Sequence, residues 1–269
     1  MTDLLDINGL TLSAAATPLV LNLSLTIAPG ERLGLIGESG SGKSLTAMAA
    51  TGLLPRSITA SGSVRLDGTQ VIGASDHALN MLRGTVSAVV FQEPLTALDP
   101  LMRLDRQVAE PLKRRSRRDG TDLSGTALDR AVIDLLEQVA LPQPERIARA
   151  YPHEISGGQR QRVAIAIAIA CRPQLLIADE PTTALDVTTQ AEIIKLLDSL
   201  VRERNMALLF ISHDLPVVAG LVDRVIVLRR GETVEQGPVK TVFATPQHDY
   251  TKSLVAAARS LDVALGGAA

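Results

Sequence analysis

One short loop constrains the fold of this chain more than any other feature. Residues 37–44 read GESGSGKS and fill every fixed position of the P-loop pattern, which is Gly, four free residues, Gly, Lys and Ser or Thr. A P-loop must follow a strand and open a helix. Residues 32–36 form an apolar run of strand length, and residues 45–54 are rich in Ala, Leu and Met and end before Pro55. Both flanks therefore fit the pattern.

The residue types of this loop suit phosphate chemistry. Glycines let backbone N–H groups turn inward and form a concave nest around phosphate oxygens. Lys43 adds a positive charge, and Ser44 adds a hydroxyl ligand for Mg²⁺. A nucleoside triphosphate is the expected ligand, and a glycine-rich turn without a ligand is the alternative. The predicted phosphate-binding residues are Gly37, Glu38, Ser39, Gly40, Ser41, Gly42, Lys43 and Ser44.

Composition excludes several other classes of protein. The 269 residues carry a formal net charge of -2, whereas a nucleic-acid-binding domain is normally basic, so we expect no nucleic-acid partner. The single cysteine, Cys171, cannot form an internal disulfide, and we expect a buried thiol in a reducing, cytoplasmic setting. No apolar run reaches the roughly 18 to 20 residues that span a bilayer. The N-terminus also lacks the basic and apolar regions of a signal peptide.

Strand and helix patterns divide the chain. Apolar residues at 4–12 and 21–27 predict a hairpin-like β start. Between residues 101 and 169 the apolar positions follow helical spacing broken by prolines, which predicts a mainly helical insertion. Strand and helix patterns then alternate over residues 175–228, and this alternation favours a parallel α/β sheet. Other predicted elements are strands at 61–68, 86–91 and 233–235 and helices at 239–244 and 248–261.

Two segments allow more than one interpretation. Residues 163–169 alternate large and small side chains as a strand does, yet every residue is apolar, which favours a buried helix. Residues 113–118, KRRSRR, could bind nucleic acid or lipid. Because Asp119, Asp122 and Asp129 follow closely, a solvated helix face is the preferred interpretation.

A second chemical signal lies at residues 175–180, LLIADE, where an apolar strand ends in two acids. In P-loop proteins such a strand places its first acid near the Mg²⁺ of the nucleotide, a role that we assign to Asp179. Glu180 can then orient the attacking water or act as its general base. The alternative is that both acids cap the helix that begins near Asp186.

Residues 155–162, ISGGQRQR, resemble the signature motif of the ATP-binding-cassette (ABC) superfamily. The residues themselves suit an anion, because Ser156 can cap a helix whose N-terminus favours negative charge, and two glycines allow close approach of the backbone. Three further positions are similar to family motifs: Gln92 to the Q-loop, Asp186 to the D-loop and His213 to the switch histidine. With the P-loop and the Asp-Glu strand, six motifs occur in the family's order. The signature residues are Ser156, Gly157, Gly158 and Gln159.

The resemblance implies an α/β fold: a P-loop NTPase of ABC type with a RecA-like parallel-sheet core, an N-terminal antiparallel β subdomain and a helical insertion. It implies one cassette domain over residues 1–269. The β subdomain and core would take about 1–100 and 173–236, the helical signature subdomain about 101–172, and a C-terminal helical extension about 237–269.

The resemblance also implies an ATPase that works as a head-to-tail dimer, each ATP lying between the P-loop of one subunit and the signature of the other. Mg²⁺ would be held by Ser44, Gln92 and Asp179. Glu180, His213 and Gln92 would be catalytic, with His213 contacting the γ-phosphate. The family places an aromatic ring against adenine upstream of the P-loop, and this chain has none there. The expected apolar substitutes are Leu12, Ala16, Pro18 and Val20.

Three stretches are similar to importers of dipeptides, oligopeptides and nickel: residues 91–100, 151–154 and 245–254. The resemblance implies an ATPase coupled to transmembrane transport, peripheral on the cytoplasmic face of the inner (plasma) membrane. Its partners would be a paralogous or identical ATPase subunit, two permease subunits and, indirectly, an extracytoplasmic substrate-binding protein. The single cysteine and short C-terminal tail lean towards a nickel, metallophore or otherwise compact variant. The alternatives are an exporter or lipoprotein-release ATPase and a soluble ABC ATPase that remodels DNA or ribosomes.

Overall fold

The computed structural model describes residues 3–15, 17–93 and 97–264. It forms two compact units, one made of residues 1–81 and 207–269 and the other of residues 82–206. The strands are β1 (Leu5–Ala14), β2 (Thr17–Ile27), β3 (Arg32–Gly37), β4 (Ile58–Leu66), β5 (Thr69–Gln70), β6 (Ser87–Val90), β7 (Leu175–Asp179), β8 (Ala207–Ile211), β9 (Arg224–Arg229) and β10 (Glu232–Pro238). The helices are α1 (Lys43–Thr51), α2 (Asp76–Leu82), α3 (Leu104–Arg118), α4 (Gly125–Gln138), α5 (Pro144–Arg149), α6 (Gly157–Ile169), α7 (Val187–Glu203), α8 (Leu215–Leu221), α9 (Val239–Ala244) and α10 (Asp249–Ala264), with a 3-10 turn at Pro152–Glu154.

The N-terminal part of the first unit is an antiparallel sheet with strand order β2-β1-β4-β5. The predicted hairpin-like start is confirmed, because β1 pairs with β2 in a register that places Leu5 opposite Ile27. Strand β1 buries Leu5, Ile7, Leu10 and Leu12 on one face, the pattern of a sheet that covers a core on one side only.

The other sheet of the first unit has the order β10-β9-β3-β8. Strands β9, β3 and β8 are parallel, and β10 pairs with β9 in the antiparallel sense. All five residues of β8 are buried, which a parallel sheet with covered faces requires. The predicted parallel sheet is confirmed, and it places the carboxyl ends of β3 and β8 at one edge of the unit.

The second unit contains the parallel pair β6 and β7 and the helices α3 to α7. The predicted helical insertion is confirmed. The ambiguous apolar run lies in α6, where Val163, Ile165 and Ile169 are fully buried. A helix that is apolar on all sides is stable only inside a core, and this burial explains the run.

Two smaller predictions about the second unit are also confirmed. The basic run, residues 113–118, forms the C-terminal end of α3. On the surface, Lys113 pairs with Glu110, and Arg115 and Arg118 both pair with Asp119. Cys171 is 3% exposed, and its Sγ donates a hydrogen bond to the carbonyl of Pro111 at 3.2 Å. Burial raises the pKa of this thiol.

In the part of the chain that the structure describes, no helix is long and apolar enough to span a membrane.

Candidate nucleotide-binding site

The P-loop begins where β3 ends, and its first glycine has a packing reason. Gly37 lies beside Leu228 of β9, and a Cβ on Gly37 would lie 2.2 Å from the carbonyl oxygen of Leu228. Its φ of 154° also lies outside the range that side chains favour. Only glycine therefore lets the chain leave the sheet here and turn into the loop.

Helix α1 follows the loop at once, and its first turn is open to an anion. The N-cap residue is Gly42, so no side chain caps the free N–H groups, and the first turn contains no acidic residue. Such N–H groups bind phosphate. Lys43 is 5% exposed, and its Nζ donates to the carbonyls of Gly37 at 2.8 Å and Glu38 at 2.9 Å. The ammonium is thus held inside the loop, next to the open helix end.

His213 follows β8, the strand beside β3. The register places Leu35 opposite Ile211, so His213 emerges at the same edge of this unit as the P-loop. Its side chain is exposed. The next residue, Asp214, accepts a hydrogen bond from the N–H of Val217 at 3.3 Å and caps α8. Asp214 is therefore the N-cap of α8.

In the second unit, the acidic pair and the Q-loop glutamine emerge from neighbouring strands. Val90 lies opposite Ala178, so Gln92 follows β6 at the same edge where Asp179 ends β7 and Glu180 follows it. Asp179 is 5% exposed, whereas Gln92 is exposed. Residues 94–96 of the Q-loop stretch lie outside the described residues.

Glu180 has an unusual backbone conformation. Its φ is 46°, a left-handed value that costs a residue with a side chain about 1 to 2 kcal/mol. The Oε2 atom of Glu180 accepts a hydrogen bond from the hydroxyl of Thr183 at 3.0 Å. Strain of this kind concentrates at functional sites. The acidic end of an apolar strand marks Glu180 in the sequence, whereas no sequence signal marks Thr183.

The signature residues form the first turn of α6. The Ser156 Oγ accepts from the N–H of Gln159 at 3.3 Å, and the Gln159 Oε1 accepts from the N–H of Ser156 at 3.0 Å, which is a capping box. The prediction that Ser156 caps a helix is confirmed. With Ser156 as cap, the half-buried Gly157 and Gly158 form the first positions of the helix.

The D-loop aspartate lies next to this turn within the same unit. Asp186 caps α7 and accepts two hydrogen bonds from Thr189, from its N–H at 3.0 Å and from its hydroxyl at 2.7 Å. These two bonds hold the pKa of Asp186 below its usual range. A Cβ on Gly158 would lie 2.5 Å from the Cγ2 of the same threonine. Thr189 therefore connects the signature turn to the D-loop, and no sequence signal marks it.

The strands that precede the P-loop offer less apolar surface for a nucleotide base than the sequence suggests. Leu12 and Val20 are fully buried in the first unit, so neither presents free surface to a base. Pro18 is exposed, and Ala16 lies outside the described residues.

The sequence and the fold are both similar to those of known proteins. The ABC transporter family model matches residues 20–183. The peptidoglycan transport ATP-binding protein YejF of Agrobacterium fabrum is 46% identical over 90% of this chain, which spans 44% of that protein's length. The oligopeptide transport ATP-binding protein OppD of Escherichia coli is 45% identical over 90% of this chain and 71% of its own length.

Among solved structures, the fold is similar to a dimeric post-hydrolysis state of the ATP-binding cassette MJ0796 bound to ADP and Pi. The TM-score is 0.77 at 30% identity, covering 87% of this chain and 98% of the other. The similarity confirms the predicted fold class. The chain therefore belongs to the ABC transporter family and, within it, to the subfamily of ATP-binding proteins that contains the peptide-transport relatives.

Proposed function

We propose that this chain binds and hydrolyses ATP and thereby drives an importer of peptides or a related small solute. The observation that carries the proposal is the P-loop itself: an uncapped helix N-terminus with a buried lysine ammonium held beside it. Few ligands other than a polyphosphate suit that combination of N–H donors and positive charge. The names of the relatives support the peptide class. Nickel uptake stays an expectation from the sequence alone.

Different groups of the P-loop are proposed to bind the phosphates in different ways. Backbone N–H groups of the loop donate to phosphate oxygens, and Lys43 neutralises part of their charge. The hydrogen bonds from Lys43 to Gly37 and Glu38 keep the ammonium extended along the loop before a ligand arrives. Preorganisation of this kind lowers the entropic cost of binding.

Ser44, Gln92 and Asp179 are the proposed protein ligands of Mg²⁺. Hydroxyl, amide and carboxylate oxygens are ligands that Mg²⁺ accepts. Among the described residues, no group of three His, Cys, Asp or Glu side chains could hold a metal ion, which fits a cation held mainly by phosphates and water. When bound, Mg²⁺ neutralises charge on the phosphates that leave and transfer.

Glu180 is the proposed general base or water-orienting residue. The hydroxyl of Thr183 donates a hydrogen bond to one carboxylate oxygen of Glu180 and thereby helps to orient the carboxylate. Gln92 supports the same water, and His213 contacts the γ-phosphate. All of these side chains act by positioning and electrostatics, which dominate phosphoryl transfer.

A complete site requires a second subunit in this proposal. The signature residues 156–159 of one subunit contact the ATP held by the P-loop of the other, in a head-to-tail dimer with a paralogous or identical chain. The dimeric cassette with similar fold supports this arrangement. Permease subunits in the membrane convert closure of the dimer into transport, and a binding protein on the far side delivers the solute. The chain would then work at the cytoplasmic face of the membrane.

The proposal keeps the subdivision expected from the sequence. Residues of about 1–100 and 173–236 form the β subdomain and the nucleotide-binding core, about 101–172 the helical signature subdomain, and about 237–269 the C-terminal extension.

Replacing Glu180 by glutamine tests the catalytic part of the proposal. Glutamine keeps the size and polarity of the side chain but cannot accept a proton, so ATP binding persists while ATPase turnover falls about 10²- to 10⁴-fold. The matched control is Glu137→Gln, the same change at a half-exposed carboxylate on α4. It should retain wild-type turnover.

ATPase activity and ATP binding are measured side by side in wild type and both variants. Undiminished turnover in Glu180→Gln would remove Glu180 from the mechanism. Specific activity that stays constant from the isolated monomer upward would argue against the shared site, because the proposal builds each site from the residues of two subunits.

A further inference from the structure

A tyrosine from the C-terminal helix reaches the P-loop. The hydroxyl oxygen of Tyr250, the second residue of α10, accepts a hydrogen bond from the N–H of Glu38 at 2.8 Å. Glu38 is the second residue of the P-loop, and 212 positions separate the partners in sequence. Both residues belong to the first unit. The nucleotide loop is therefore tied to a helix that carries no recognised nucleotide-binding residue.

The peptide group that joins Gly37 to Glu38, called the Glu38 peptide, is held from both sides. Its N–H donates to the Tyr250 hydroxyl oxygen, and its carbonyl oxygen, which is that of Gly37, accepts from the Nζ of Lys43 at 2.8 Å. The next carbonyl along the chain, that of Glu38, accepts from the same Nζ at 2.9 Å and from the N–H of Ser41 at 3.2 Å. A continuous line of hydrogen bonds thus runs from the tyrosine hydroxyl through one peptide group to the phosphate-binding ammonium. Movement of the Glu38 peptide would move the acceptor that fixes Lys43.

Tyr250 is itself rigidly placed. The Arg229 guanidinium lies 4.9 Å from the centre of its ring, in cation–π geometry. Its N–H donates to the Nδ1 of His248 at 3.1 Å. The Glu235 carboxylate accepts from the N–H groups of Gln247 at 2.9 Å and His248 at 3.0 Å, which anchors the start of α10 on β10. Burial raises the pKa of the Tyr250 hydroxyl, so it is protonated at neutral pH.

We propose that Tyr250 is a positioning residue for ATP binding, which sets the Glu38 peptide and through it the ammonium of Lys43. The inference rests on the proposed function, because it requires that the P-loop binds a triphosphate. Glu38 is exposed, so water can satisfy its N–H when the tyrosine hydroxyl is missing. The Tyr250 hydroxyl therefore contributes more to the conformation of the P-loop than to the stability of the fold.

The test compares Tyr250→Phe with wild type by calorimetric titration of the full chain with MgATP and with inorganic tripolyphosphate. Phenylalanine keeps the ring against Arg229 and removes only the hydroxyl. One hydrogen bond of this kind corresponds to a Kd about 2- to 10-fold higher. The same factor is expected for both ligands, because the contact acts on the phosphate loop and not on the base. The melting temperature without ligand should stay at the wild-type value.

The matched control is Lys252→Ala, two residues along the same helix. Lys252 forms an exposed ion pair with Asp249 at 2.9 Å, on the helix that carries Tyr250. This variant should bind both ligands as wild type does. Equal affinities in Tyr250→Phe and wild type would overturn the inference and leave the proposed function intact. A wild-type chain that binds neither ligand would instead overturn the proposed function.

A second measurement does not depend on the Tyr250→Phe variant folding well. The chain has two tyrosines and no tryptophan, so in Tyr151→Phe the fluorescence comes from Tyr250 alone. Tripolyphosphate should change this emission with the Kd found by calorimetry. Emission that stays constant at saturation would contradict a coupling between Tyr250 and the loop.

Discussion

The second glycine of the signature, Gly158, offers a sharp test of packing in the second unit. It lies in the first turn of α6 against Thr189 of α7, and a Cβ added there would lie 2.5 Å from Thr189 Cγ2. Ordinary contact begins at 3.4 Å. Rotation of the Thr189 side chain away from Gly158 would break the hydrogen bond that its hydroxyl donates to the Asp186 carboxylate at 2.7 Å.

Two opposing effects decide the outcome of Gly158→Ala. Alanine favours a helix over glycine by about 1 kcal/mol, whereas an extra methyl group in a packed contact costs about 1 to 3 kcal/mol. We expect net destabilisation of about 1 kcal/mol, which lowers the melting temperature by about 2 to 4 °C. In a Thr189→Ser background the clashing methyl is gone and the hydroxyl that binds Asp186 remains. The next nearest atoms, Thr189 Cβ and Oγ1, lie at 3.8 and 3.9 Å, so the sign should reverse.

The assay is thermal unfolding by circular dichroism for wild type, both single variants and the double variant. In the serine background, Gly158→Ala should raise the melting temperature by about 2 to 4 °C, because only the gain in helix propensity remains. The coupling energy of the cycle should then be about 1 to 3 kcal/mol. An equal loss in both backgrounds would refute the reasoning, since it would place the cost somewhere other than the threonine methyl.

Two further predictions concern titratable groups. Burial would raise the pKa of Glu235, but hydrogen bonds from the N–H groups of Gln247 and His248, among others, outweigh it and hold the pKa below its usual 4.5. The carboxylate therefore stabilises the fold above pH 4.5 and loses this effect as the pH falls through the lowered pKa. Glu235→Gln should lower the melting temperature at pH 7, and a difference from wild type that does not shrink in acid would contradict this. The buried Cys171 thiol has a raised pKa and should react with a thiol reagent far more slowly in native protein than in urea, where one thiol per chain should react.

Where one local signal was ambiguous, a neighbouring signal decided the type of element. The run at 163–169 is the instructive case, because its alternation favours a strand and its uniform apolarity favours a buried element. The capping box of Ser156 and Gln159 starts a helix just before it, and that helix continues through the run. The extent of β4 was less predictable, since the strand begins at Ile58, before the apolar pattern becomes regular.

The motif residues were predictable because their chemistry requires fixed residue types at a fixed spacing. A phosphate-binding loop needs glycines, a lysine and a hydroxyl at fixed spacing, so Lys43 and Ser44 are visible in any sequence that contains the loop. Thr183, Thr189 and Tyr250 are not visible in that way. Each acts by one hydroxyl or methyl at a distance that the fold sets, and many other sequence positions hold the same residue types.

This difference separates the residues that supply chemistry from those that supply geometry. Removing Lys43 or Glu180 would remove the proposed phosphate-binding charge or the proposed general base. Removing the Tyr250 hydroxyl or the Thr189 methyl leaves every reacting group in place and changes only how firmly the P-loop or the signature turn is held. Variants of the first kind should lose turnover by orders of magnitude. Variants of the second kind should change affinity or stability by amounts typical of a single contact. Two relatives could thus share all six motifs and still differ in ATP affinity, because the residues that fix the loops lie outside the motifs.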